Sequence, residues 1–523
     1  MEKSDLLSHG KVKSDKTRTV IEEQSNNSGL ISQHKLNKIA DNLVKNRDKQ
    51  GDNPVIGDKM EEECGVFGIY DPSRKMDIAN LTYLGLHSLQ HRGQESAGIC
   101  IGDKGNFDLY KDMGLVTNVF DEDKIKSLQG NRAIGHVRYS TSGSSLPVNA
   151  QPLLINSIKG ELALAHNGNL VNGEKLRDKL EALGSIFHSS LDTEVIAHLV
   201  SRSLKNNVID ALVNSLHQLR GAFSLVAMTG DSLIAVRDPY GFRPLSLGKL
   251  DESWVVASET CAFDIIGAEY KRDIKPGEVL VINDNGIESF RYSEEKPHRF
   301  CIFEFIYFAR PDSVIGGQNV HLARREMGRQ LARESELDAD LVIPVPSSGI
   351  SAALGFAEEA GIPYEKGILR NKYVGRTFIQ PTQEIRDLKV RIKLNPIKEI
   401  INDKKVVLVD DSIVRGTTSK QIIRMIREAG AAEVNMVISS PPVKAPCYYG
   451  LDTSRRKELI AGKKSINEIR DYIGADTLNY LSLDGLLNSI DAANYGYCTS
   501  CFDGESPLEK KICEGGSEDG TNL

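Results

Sequence analysis

The stretch VVLVDDSIVRGTTS, residues 406–419, is an apolar run that ends in two adjacent carboxylates and passes within a few residues into a helix. No other feature constrains the chain as much. The run reads as a buried strand, and the helix after it carries Ile422, Met425, Ile426 and Ala429 on one face and closes at Gly430. EVNMVISS (433–440) follows as another strand. Upstream, ADLVIPVP (339–346) leads through SSG into ISAALGFAEEAG, closed by Gly361, in the same order. Strand–loop–helix–strand units require parallel neighbours in one sheet, with ligands taken at the C-terminal strand ends.

At that strand end, Asp410 and Asp411 would repel a bare phosphate, so they address ribose hydroxyls, Mg²⁺, or both. The loop beyond them opens a helix, where unpaired N–H groups and the dipole favour an anion, and Thr417, Thr418 and Ser419 add hydroxyl donors. A plain helix cap needs neither two acids nor this many hydroxyls. No G-x-x-x-x-G-K occurs, so the stretch is not a nucleotide P-loop. It resembles the phosphoribosyl pyrophosphate (PRPP) signature of type I phosphoribosyltransferases. That resemblance implies that the acids contact the ribose and that the loop Arg415, Gly416, Thr417, Thr418, Ser419 holds the 5′-phosphate.

Before residue 295 the pattern differs. Short apolar runs punctuated by glycine (CGVFGIY, RAIGHVRYS, LALAHNGNLV, AFSLVAMTG, SLIAVRDP, SWVVASE, VLVIND) are interrupted by helical stretches at 79–93 and 193–204. Many strands with few helices predict packed sheets covered by helices, an α+β arrangement. Residues 1–53 are polar and read as a flexible leader, with one short amphipathic stretch at 36–46. The expected organisation is a leader over 1–63, an α+β domain over 64–295, an α/β domain with a parallel sheet over 296–480, and a C-terminal segment over 481–523.

The leader ends in DKMEEECGVFGIY (58–70), where three glutamates give way to Cys64 and a strand. Three segments supply partners for that thiol. HVRYST (136–141) offers Arg138, which can pair bidentately with a carboxylate. AHNGNLVN (165–172) places Asn167 and Gly168 in a strand-end loop, as an amide and a backbone N–H for an oxyanion. SSLDTE (189–194) places Asp192 at a helix start, where an acid can hold an ammonium group. Glutamine carries an α-carboxylate, an α-ammonium and an amide, and the set matches it group by group. No histidine is obviously the base, although His91 and His136 stay open. If the chain is cut before Cys64, the new α-amino group becomes the local base, with a pKa of about 7.7–8.0.

These residues, with HRGQESAGI (91–99) and RDPYGFRPL (237–245), resemble the N-terminal-nucleophile glutaminase domain. Glutaminase and PRPP motifs in this order, over roughly residues 61–505, resemble the amidophosphoribosyltransferase family. The resemblance implies glutamine hydrolysis at Cys64, ammonia transfer to Mg²⁺–PRPP, and the products 5-phosphoribosylamine, glutamate and pyrophosphate, the first step of purine synthesis. It also implies a mobile loop at KYVGRTFIQP (372–381), with Lys372 on PRPP, and a pyrophosphate loop at VPSSG (345–349). Ser348 joins Asp410 and Asp411 near one Mg²⁺ per subunit; Ser347 receives no role. Inhibition by purine nucleotides and a homotetramer are further family expectations.

The chain has eight cysteines and no secretory signal, so thiols or metal ligands are expected rather than a disulfide framework. Cys498 and Cys501 form a C-x-x-C that spacing alone cannot join to Cys301 or Cys447. One branch of the family holds a [4Fe–4S] cluster on cysteines in matching contexts, which implies one cluster per subunit on these four. Zinc or plain thiols remain alternatives. Cys100 and Cys261 read as buried or incidental, and Cys513 as part of a polar tail.

A net charge of −7 and a pI near 6.0 give no broad reason to bind nucleic acid or an anionic membrane. No apolar run approaches the roughly 18 residues that span a bilayer. A cytoplasmic location is expected. Glucosamine-phosphate synthases and asparagine synthetases share the first domain, but 406–419 fits neither; a PRPP-sensing regulator would not need the glutaminase set.

Overall fold

The computed structural model describes residues 64–103, 105–139, 145–371, 393–451, 453, 456–490 and 496–508. The leader, the amphipathic stretch at 36–46, the loop carrying Lys372, and Cys513 lie outside the described residues.

The first domain stacks two antiparallel sheets. Among the described residues one has seven strands, with Gly65–Tyr70 lying between Ser253–Ala257 and Arg132–Arg138. The other has six, with Gly160–Leu170 beside Gly221–Met228. Every residue of Gly65–Tyr70 is buried, because the strand is covered on both faces. Phe67 and Ile69 face the core under the helix Ile78–Ser88, while Val66 and Tyr70 join the layer between the sheets. Glycine is required where the layers approach: a Cβ on Gly68 would stand 2.7 Å from Val226.

Both expected helices form, as Ile78–Ser88 and Asp192–Arg202, but they are joined by Gly173–Ala182, Val208–Leu216 and shorter turns. The sequence GEKLRDKLEA shows little apolar period, since only Gly173 and Leu180 are buried along it. Its position comes from packing against Asp192–Arg202 rather than from a hydrophobic stripe.

Among the described residues the main sheet of the second domain has four strands, Leu341–Pro344, Lys405–Asp410, Glu433–Ile438 and Thr477–Tyr480, all parallel. The helix Thr417–Glu428 buries Ile422, Ile423, Met425 and Ile426, at about 1.5–3 kcal/mol for each large apolar side chain removed from water. One apolar core spans the two domains: Ala222 and Phe242 of the first pack with Phe300–Phe308, Val409 and Val414 of the second. Among the described residues no helix is long and apolar enough to cross a membrane.

Candidate active sites

Cys64 sits immediately before the central strand and is buried. Its Sγ lies 3.4 Å from the Tyr139 carbonyl, just beyond the neighbouring strand Arg132–Arg138. Three residues before Tyr139, on that strand, His136 reaches across the layers, with Nε2 3.0 Å from the His166 carbonyl. This contact brings the strand carrying Asn167 and Gly168 to the strand beside the thiol. Asn167 is 1 % exposed, and its Nδ2 has no partner among the described residues. A buried amide in that state is costly unless a ligand oxygen completes it. Gly168 has φ +142°, and a Cβ there would lie 2.1 Å from the Ala222 carbonyl oxygen, so no other residue fits.

Asp192 begins its helix, as expected, and its Oδ2 accepts the Leu170 N–H at 3.0 Å while Oδ1 lies 3.3 Å from His166 Nδ1. Burial pushes its carboxyl up, but His166 and the N–H groups of Leu170 and Thr193 outweigh this and hold it below the usual range. Arg138 Nη1 donates to Glu95 at 2.5 Å in a nearly closed setting. Of the two histidines left open as bases, His136 is fully buried, and burial depresses its pKa to about 3. His91 Nε2 is 2.7 Å from Glu259.

Behind Cys64 lies a buried charge cluster that sequence reading missed. Arg92 Nε donates to the Cys64 carbonyl at 3.1 Å, and its Nη atoms pair with Glu304 at 2.7 and 3.0 Å and with Glu259. Arg243 Nη1 lies 3.8 Å from Glu304. Leaving one member of such a buried pair uncompensated costs about 3–5 kcal/mol, so these residues depend on one another. The available signal was Glu304 itself, an acid inside the apolar run CIFEFIYF.

In the second domain Asp410 and Asp411 close the strand Lys405–Asp410, and both are 1 % exposed. Asp410 Oδ1 accepts the Asp411 N–H at 2.9 Å, and Asp411 Oδ2 accepts the Ser412 hydroxyl at 2.7 Å. Gly416, at φ +80°, turns the chain into the helix Thr417–Glu428, whose first turn carries Thr417, Thr418 and Ser419. Arg415 pairs with Glu458 at 2.6 Å. The 345–349 loop lies against the same strand end: Val345 N donates to the Val409 carbonyl, and a Cβ on Gly349 would meet that oxygen at 2.3 Å. Ser348 is half-buried in this loop. Adjacent carboxylates with a hydroxyl nearby are hard oxygen donors of the kind Mg²⁺ prefers.

Cys301 and Cys498 are paired residues of a short parallel bridge, Phe300–Cys301 with Tyr497–Cys498. Cys447 and Cys501 are buried in the same core. Burial pushes the Cys447 thiol up to about 11 and raises Cys498 and Cys501, and Cys501 also feels Cys498, Cys447 and Cys301. Among the described residues no three His, Cys, Asp or Glu side chains converge as ligands of one metal ion. A cubane cluster spreads its four thiolates more widely than a single ion does, and this buried all-cysteine set suits its soft chemistry. Cys100 and Cys261 are buried in the first domain.

A family model for the glutamine amidotransferase domain matches residues 136–264, and one for the phosphoribosyl transferase domain matches 317–466. Amidophosphoribosyltransferase of Bacillus subtilis is 52% identical over 455 residues, 86% of this chain and 95% of that protein. The chloroplastic amidophosphoribosyltransferase 2 of Arabidopsis thaliana is 48% identical, over 89% of this chain and 83% of its own length. The solved structure of the B. subtilis glutamine PRPP amidotransferase complexed with ADP and GMP superposes with a TM-score of 0.81, covering 85% of this chain and 98% of that one. The fold that sets Cys64 before a central strand and paired acids at a parallel strand end is thus matched at about half identity over most of its length, and the chain belongs to the amidophosphoribosyltransferase family.

Proposed function

We propose that this chain makes 5-phosphoribosylamine from glutamine and PRPP using the residues described above. Removal of residues 1–63 leaves Cys64 with an α-amino group, which takes the thiol proton as sulfur attacks the glutamine amide. The oxyanion rests on Asn167 Nδ2 and the Gly168 N–H. Ammonia leaves with the proton from the α-amino group, and water then clears the thioester as glutamate. Asp192 receives the substrate ammonium, and Arg138 its α-carboxylate, which shares or displaces Glu95. The observation that carries this reading is the buried Asn167 amide, without a partner at Nδ2 among the described residues and followed by a backbone position that only glycine fits.

Ammonia reaches the second site through the shared apolar core, away from the protons that would trap it as ammonium. There Asp410 and Asp411 hold the ribose hydroxyls, and residues 415–419 the 5′-phosphate. Lys372 and the 345–349 loop attend the pyrophosphate, and ammonia displaces it at C1. Mg²⁺, when bound at Asp410, Asp411 and Ser348, neutralises the leaving pyrophosphate. Cys301, Cys447, Cys498 and Cys501 hold a [4Fe–4S] cluster that ties the C-terminal segment to the body. We extend to this chain a homotetrameric assembly and inhibition by purine nucleotides, the latter supported by the ADP and GMP of the B. subtilis complex.

Pyrophosphate release, measured with glutamine or with ammonium as nitrogen donor, tests the reading. Cys64→Ala is expected to abolish the glutamine-driven reaction and spare the ammonium-driven one. Retained glutamine-driven release in that variant would remove Cys64 from the mechanism.

A further inference from the structure

We propose that Glu304 is a positioning residue for the glutaminase chemistry, holding Arg92 against the main-chain carbonyl of the nucleophile; the inference rests on Cys64 being that nucleophile. Glu304 belongs to the second domain's side of the shared core, in a π-type turn, Glu304–Phe308, and is wholly buried. Its two oxygens take Arg92 Nη1 and Nη2 at 3.0 and 2.7 Å, a bidentate pairing that fixes the guanidinium plane. That plane directs Nε at the Cys64 carbonyl, 3.1 Å away. The carbonyl belongs to the Cys64–Gly65 peptide, so holding it anchors the peptide plane from which the Cα of Cys64 projects its Cα–Cβ and Cα–N bonds. These bonds carry the sulfur and the proposed amine.

The turn is itself held from the far side. Arg324, on the helix Val320–Glu334, donates to the Phe305 carbonyl at 2.6 Å and to the Ala309 carbonyl at 2.9 Å. Arg243, also buried, stands beside Glu304 and donates to the Tyr449 carbonyl, next to the loop of Cys447. A π-type turn is uncommon and is found chiefly where a site needs a particular side-chain direction. Here it points a carboxylate, rather than an apolar residue, from one domain into the back of the other domain's nucleophile. Glu259 also touches Arg92, but its second oxygen is committed to Ser313 and the Arg310 N–H, so Glu304 supplies the pairing that orients the guanidinium.

The test uses Glu304→Gln and Glu304→Asp in the full chain, with rates measured for glutamine and for ammonium as donor. Displacing a reacting atom by about 1 Å costs on the order of 100-fold. Glu304→Gln is therefore expected to lower glutamine-driven kcat by about 10- to 100-fold, with the KM for glutamine and the ammonium-driven rate each within about twofold of the parent. Glu304→Asp, which keeps the charge, is expected to recover part of the loss. Parallel loss of both rates, a change confined to KM, or no change would each overturn the proposal. If Glu304→Gln does not fold, the same comparison is read on Glu304→Asp, whose ammonium-driven rate certifies the fold. The parent and Cys64→Ala separate the two claims. A parent without glutamine-driven activity, or Cys64→Ala retaining it, sinks the nucleophile assignment, whereas a normal parent with unaffected Glu304 variants sinks only this inference.

Discussion

The two proposed sites of this chain are made from opposite materials. The glutaminase site is built from strand interiors: Cys64 opens a strand buried along its length, and Asn167 and Gly168 lie within another. Its tolerance is set by packing, as the 2.1 Å approach of Ala222 to a Cβ on Gly168 shows. The phosphoribosyl site is built where strands stop. Asp410 and Asp411 close a strand, and Gly416 opens the helix beyond. Strand interiors fix a small amide against a thiol, whereas strand ends and helix N-termini present a fan of N–H groups and hydroxyls to a larger anion. One site is expected to fail by misplacement, the other by lost charge and hydrogen bonding.

The largest effects should separate the sites by nitrogen donor. Asn167→Ala removes an oxyanion donor and is expected to lower glutamine-driven kcat by about 10²–10³-fold while leaving the ammonium-driven rate within about twofold. Gly168→Ala should be at least as damaging to that reaction, and it also strains a backbone at φ +142°. Asp410→Asn or Asp411→Asn should instead depress both reactions together, by roughly 10²-fold, because both need PRPP in place. An Asp410→Asn enzyme impaired only with glutamine would break the comparison.

A smaller effect concerns the seam. The four cysteines join the Cys301 strand and the Cys447 loop to the segment of Cys498 and Cys501. Protein prepared without oxygen is expected to contain about four irons per chain by the cluster stoichiometry, with an intact mass lacking residues 1–63. Cys501→Ser should lose the iron and lower Tm, since ligand binding to the folded state contributes folding free energy. Zinc in place of iron, or Tm unchanged on iron loss, would sever the cluster from the seam.

Much of this was legible in the sequence because it was local. The strand, acids, loop and helix of 406–419 are contiguous, so hydrophobic period and turn chemistry placed them together. The glutaminase set was legible by chemical type, with thiol, amide, glycine, arginine and acid each in a short motif, although Asn167 and Gly168 lie within the strand Gly160–Leu170 rather than in a strand-end loop. Contacts at long separation were not. Arg92 and Glu304 lie 212 positions apart, and Arg92 and Cys64 meet through a carbonyl that every residue possesses. The pairing of Arg138 with Glu95 was hidden likewise, because a strand register, Ser96 opposite Arg138, brings them together. Lys372 lies outside the described residues, so its place in the PRPP site rests on the proposal alone.

The smallest prediction concerns acid and returns to the layer between the sheets. His136 is buried with Nδ1 unpartnered and Nε2 on the His166 carbonyl, and its pKa falls from 6.5 to about 3 because burial penalises the cation. Between those values the unfolded chain binds a proton that the folded chain refuses, so stability must fall as pH falls. The contribution is fully present above pH 6.5 and is lost progressively toward pH 3, with a limiting slope of about 1.4 kcal/mol per pH unit for one group. Asp192, whose folded pKa is lowered, adds its own loss only below its ordinary carboxylate range. His298, lowered to about 4, and Asp238, raised to about 6, also respond between pH 6 and 5, so it is the difference between the parent and a His136 variant that reports this histidine. Urea unfolding of the parent and of His136→Gln across that window should give a shallower pH dependence in the variant, even if its stability at pH 7 is lower. The glutamine-driven rate of the parent should hold its KM there, since Asp192 stays ionised. Parallel slopes in the two proteins would mean that His136 takes its proton within the fold, and the layer behind the thiol would then be wetter and looser than the strand-interior site requires.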